Sequence, residues 1–112
     1  MGKMSEGGGD GVTITTDAGE SIRFSHFKIE FRVHFGEHDE LDSLDIHYYE
    51  GKEWREVHKI VAECEAGRAD QYDDDEYRII WIERCSRATD QFGEYMGWDE
   101  YSTLWECEEM KA

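Results

Sequence analysis

Phe27-Lys28-Ile29-Glu30-Phe31-Arg32-Val33-His34-Phe35 decides the fold. Apolar and polar residues alternate through all of it, the period of a strand with one face in a core and one in water. Gly36 to Glu40 reads as a polar turn, after which Leu44, Ile46 and Tyr48 alternate with Asp45, His47 and Tyr49. Two such runs joined by a short polar link imply an antiparallel pair. Upstream, Val12 to Thr16 and Glu20 to Ser25 are β-prone and flank Asp17-Ala18-Gly19, a natural hairpin turn. Ile22 and Phe24 fall out of phase with the run from Phe27, so a bend or bulge is expected near Ser25 and His26.

The period then changes. Trp54, Val57, Ile60, Val61 and Cys64 form one stripe of a helix, which Gly67 is placed to end. Ala69 to Asp75 is an acidic loop. Tyr77 to Ile82 is the most apolar run and reads as a central strand. From Arg84 to Asp99 no pattern holds, with Gly93 and Gly97 interrupting. Tyr101, Thr103, Trp105 and Cys107 alternate as a last strand, and the composition favours that over a short helix. The fold class is α+β: an antiparallel sheet of four to six strands with one principal helix packed on one face. The stripe predicts that Trp54, Val57, Val61 and Cys64 meet Phe31, Ile79 or Trp81 in one core. Met1 to Gly11 reads as a flexible lead, and 12–112 as a single acidic domain.

Charge dominates the composition. Asp and Glu number 28 against 12 Lys and Arg, a formal net charge of −16 in 112 residues. Small soluble domains manage with a magnitude of about 2 to 8. The four Trp, six Tyr and five Phe argue for a folded chain over an acidic disordered one. Such a surface repels nucleic acid and anionic membranes and attracts basic proteins. No apolar run approaches the about 18 residues of a membrane span. The start has no apolar signal-peptide core, and Glu6 stands where a myristoylation pattern wants Ser or Thr. Cys64, Cys85 and Cys107 are odd in number and far apart, which suits reduced core thiols in a cytoplasmic protein.

The acids fall into three groups: Glu37, Asp39, Glu40, Asp42 and Asp45; Asp70, Asp73, Asp74, Asp75 and Glu76; and Asp99, Glu100, Glu106, Glu108 and Glu109. Solvated loops explain any one group, but the sum leaves repulsion that reduces stability without some use. Side chains on one face of a strand repeat every about 6.6–6.8 Å. Rows such as Asp73 with Asp75 or Glu106 with Glu108 would then imitate successive phosphates. A salt-loving cell is the competing explanation, with only Lys3, Lys28, Lys52, Lys59 and Lys111 present. Tyr48 or Tyr49, Trp98 and Tyr101 are candidate aromatic anchors, Trp98 first because its segment is polar, while Trp54 and Trp81 are assigned to the core.

Catalytic and metal signatures do not compete with this. Asp70, Tyr72 and Asp74 begin a calcium-loop string, but Asp75 replaces its obligatory Gly and Trp81 its terminal Glu. His34, His38 and His47 lack an accompanying nucleophile or phosphate-loop motif and read as residues of a wet strand face. The expectation is a protein without cofactor, metal or enzymatic activity. In composition alone the chain is similar to small acidic viral proteins that disable host defence or DNA-processing systems. That resemblance implies an inhibitor, of anti-CRISPR or anti-restriction type, of a basic nucleic-acid-binding protein; the alternative is a small acidic adaptor or structural interaction domain.

Overall fold

The computed structural model describes residues 11–111. The expected flexible lead therefore lies outside the described residues, apart from Gly11. Six strands and one main helix form an α+β fold with two antiparallel sheets. β1 (Val12–Thr15) and β2 (Ser21–Phe24) pair as a hairpin with Val12 opposite Phe24. Its turn closes where the Asp17-Ala18-Gly19 signal placed it, with the Thr16 amide donating to the Glu20 carbonyl at 2.8 Å. The second sheet has the order β4-β3-β5-β6, from β3 (His26–Glu37), β4 (Ser43–Glu50), β5 (Tyr77–Thr89) and β6 (Tyr95–Glu106). A one-residue break at Ser25 separates β2 from β3, where a bend or bulge was expected, and His26 is already part of β3. Contacts divide the described chain into two compact units, 11–28 with 86–100 and 29–85 with 101–111.

In the larger unit, α1 (Trp54–Glu65) packs on the sheet through Val57, Ile60 and Cys64, against Phe31, Val33, Ile79 and Ile82. The helix ends as its sequence requires. Gly67 has φ +80°, a conformation that costs residues with a Cβ about 1–2 kcal/mol. Its amide donates to Cys64 and the Arg68 amide to Glu63, the paired bonds of a Schellman end. Trp54 corrects the expected core: it is 44 % exposed and sits edge-on to His58 at 5.2 Å. At 3.6 residues per turn its direction is about 60° from that of Val57, so it flanks the stripe without joining it. Trp81 also lies outside the core under α1 and stacks on His34.

Register sorts the two tyrosines of β4. Tyr49 is opposite Phe31 and packs against the helix-side core, whereas Tyr48 is opposite Arg32 and exposed. The register shifts between Phe35 and Gly36. A Cβ at Gly36 would lie 2.9 Å from the Asp42 carbonyl oxygen and 3.0 Å from Ile80 Cδ1, so only glycine fits under that turn.

The segment from Arg84 to Asp99, where no pattern was legible, is a hairpin: β5 continues to Thr89 and β6 begins at Tyr95. Asp90 organises its turn by accepting the Phe92 and Glu94 amides on Oδ1 at 2.8 and 2.9 Å. Tyr101, Thr103 and Trp105 lie in β6 as expected, whereas Cys107 lies just past its end. A short helix, α2 (Glu108–Lys111), follows. Cys64, Cys85 and Cys107 are all free and buried. No helix among the described residues is long and apolar enough to cross a membrane.

Candidate functional site

Two of the acidic groups are built into one surface. The β3–β4 turn carries Asp39, Glu40 and Asp42, with Glu37 at its edge; the segment entering β5 carries Asp73, Asp74, Asp75 and Glu76. His38 joins them. Its backbone amide donates to the Glu76 carbonyl at 3.3 Å, and its Nε2 lies 2.9 Å from the Asp74 carbonyl oxygen. Asp39, Glu40, Asp42, Asp74, Asp75 and Glu76 are exposed; Glu37 and Asp73 are half-buried. Asp45, farther along β4, is exposed and bonded to His47 at 2.9 Å.

Asp74 shapes this surface. Its Oδ1 accepts the Glu76 amide at 2.8 Å and the Tyr77 amide at 2.6 Å. Those bonds from Tyr77 and Glu76 lower its pKa. Asp73 is moved the other way, by burial and by neighbouring Asp70 and Asp74, against the opposing pull of His38 and Arg78. The expected strand-like rows are corrected here. Asp73 and Asp75 lie before β5, where Asp74 bends the chain, and Glu106 and Glu108 are parted by the end of β6. Neither pair has the fixed spacing of one strand face.

A groove of about 800 Å³ adjoins this region, lined by Asp70 and Asp73 from the loop and by Glu106, Glu108 and Glu109 from the chain end. Glu65, at the end of α1, adds a sixth carboxylate. Arg78 Nη1 meets Glu109 at 2.9 Å and lowers its pKa. Lys111 stands 3.6 Å from Glu108.

The remaining sequence candidates are placed elsewhere. Asp99 is half-buried and paired with Arg87 at 3.0 Å, and it accepts the Tyr95 hydroxyl at 3.1 Å, so it is not an unpaired acid. Glu100 is exposed. Trp98 is corrected as the foremost exposed anchor: it is half-buried, stacked on Phe24 at 6.0 Å and edge-on to Phe27 at 5.9 Å. Tyr48 and Tyr101 are exposed and place their rings 5.6 and 5.4 Å from the Arg32 guanidinium. Sequence reasoning missed Phe92, which is 82 % exposed at the tip of the β5–β6 hairpin. Its signal was Asp90 and Gly93 flanking it, a turn that leaves an apolar residue outside.

The histidines do not converge. His34, expected on a wet face, is buried, with Nε2 2.6 Å from Glu83 Oε2, Nδ1 3.1 Å from Ser43 Oγ, and its ring 4.4 Å from Trp81. Hydroxyl, imidazole and carboxylate in series can relay a proton. Ser43 is exposed and follows the acidic turn ending in Asp42. Among the described residues no group of three or more His, Cys, Asp or Glu has the arrangement of a metal site. No family model, curated protein or solved structure matches the chain.

Proposed function

We propose that this chain is an acidic inhibitor that occupies the basic nucleic-acid-binding groove of a host-defence or DNA/RNA-processing protein. It acts by binding and not by catalysis. The observation that carries the reading is the joining of the two acidic segments by His38. Charges distant in sequence thus share one surface and steer together toward a Lys- and Arg-rich groove. Because the rows lack strand spacing, blockade by shape and net charge is favoured over a phosphate-by-phosphate copy. The free, buried thiols support a reducing compartment such as the cytoplasm.

The test is capture of a basic protein from the native host followed by competition. The inhibitor reading requires that the captured protein loses DNA or RNA binding as this chain is added, and that saturating nucleic acid releases the chain. A partner that holds nucleic acid and this chain together would make it an adaptor. A fold that forms only in molar KCl would assign the charge to salt adaptation.

A further inference from the structure

We infer that the acidic groove beside the end of α1 receives an arginine side chain carried on an extended segment of the partner. This rests on the proposed capture of a basic protein and names the point of docking. The groove, about 800 Å³, lies within the size range of ligand sites, about 300–1,000 Å³. Its wall combines two chemistries. Glu65, Asp70, Asp73, Glu106, Glu108 and Glu109 supply carboxylates, while Cys64, Ile79, Leu104 and Trp105 supply apolar surface.

The charges do not balance internally. Arg78 and Lys111 are the groove's basic residues, and they meet Glu109 and Glu108. Glu65, Asp70, Asp73 and Glu106 have no ion pair among the described residues. Burial first, with Asp70 and Asp74, disfavours the charge on Asp73 against the pull of His38 and Arg78, and a cation docked beside it would favour that charge.

These features select arginine. A methylene stem covers apolar surface while the charged head reaches acceptors. The guanidinium is weakly hydrated, pairs with carboxylates through two parallel bonds and stacks on aromatic faces such as Trp105. Lysine, a compact and strongly hydrated point charge, matches fewer of these surfaces.

The test uses a fluorescein-labelled nona-arginine peptide and the full chain at about 150 mM salt, where long-range attraction is largely screened. Two variants carry the same change of charge: Glu65→Gln with Glu106→Gln in the groove, and Asp39→Asn with Asp75→Asn on the exposed surface. The groove pair should weaken binding at least about tenfold and the surface pair less than about threefold, as docked and peripheral charges differ. In the wild type, the Trp105 indole resonance should shift on titration more than those of Trp54, Trp81 and Trp98. Equal weakening by both pairs, or an unmoved Trp105 resonance in a saturated complex, overturns the groove while acidic capture stands. Absence of peptide binding even at about 50 mM salt overturns both. If the groove pair unfolds, the wild-type Trp105 shift decides alone.

Discussion

His34 Nε2 and Glu83 Oε2 lie 2.6 Å apart although the two residues are 49 positions apart in sequence, and both side chains are buried. The other ring nitrogen, Nδ1, faces the Ser43 hydroxyl at 3.1 Å, so both nitrogens of the buried imidazole have a partner. Breaking such a pair leaves one polar group buried and unmatched, whereas replacing both partners by apolar groups removes the desolvation cost as well. Glu83→Ala should therefore destabilise the chain by about 3–5 kcal/mol in urea unfolding, and His34→Phe with Glu83→Leu should recover most of that. A cost below about 1 kcal/mol for Glu83→Ala would show that the pair does not hold β3 against β5.

Two aromatics separate stability from binding. Trp98 packs on Phe24 and Phe27, so Trp98→Ala should cost about 2–3 kcal/mol, below the 3–5 of a fully buried site. Phe92 is almost wholly exposed and held out by a turn that Asp90 secures. Phe92→Ser should leave thermal unfolding within about 0.5 kcal/mol of wild type and weaken the captured partner's binding by about 1–2 kcal/mol. Unchanged affinity would remove the hairpin tip from the interface.

The sequence carried the local parts of this architecture and lost the non-local ones. The stripe at Val57, Ile60 and Cys64 was legible because α1 has one covered and one wet side. The alternation from Phe27 to Phe35 was legible from residue type, although its polar side is also largely covered, with His34 buried. The β5–β6 hairpin was not, because Tyr95 and Met96 are both exposed and blur the period-two signal. Glu83 gave no warning either: its burial depends on His34 arriving from another strand. The acidic groups were visible one by one, but the bonds of His38 that unite two of them are long-range contacts.

Glu63 links the helix end to pH. Its carboxylate accepts two bonds from Arg68, both at 2.9 Å, and one from Gln71 at 2.6 Å. Arg68 first and Gln71 second lower its pKa to about 2. An unfolded chain takes up this proton near the ordinary glutamate value of about 4.3. The stabilisation is therefore complete above that pH and lost as pH falls through about 2. Glu63→Gln should flatten the rise of melting temperature with pH across this window and leave the slope above it unchanged. An identical slope in both proteins would show that the Arg68 contact adds nothing in solution.

Asp73, Asp74 and Asp75 offer the sharpest test of steering. Asp74 also bonds the Glu76 and Tyr77 amides through Oδ1. Substitution by Asn keeps that acceptor and removes only charge, whereas Asp74→Ala would release the turn at a cost of about 1 kcal/mol. The triple Asn variant should thus fold, the relief of repulsion at Asp73 offsetting the loss of the charge-assisted bonds that the Glu76 and Tyr77 amides make to Asp74. Its association with the captured partner should slow about tenfold at low salt, within the range that electrostatic steering supplies. The difference should shrink toward about 0.5 M salt, where the screening length falls to a few ångströms. Stopped-flow association at the two salt concentrations, with thermal unfolding beside it, reads both effects. An unchanged rate at low salt with the fold intact would take this loop out of the steering surface and leave the turn from Glu37 to Asp42, with Asp45, to do the work.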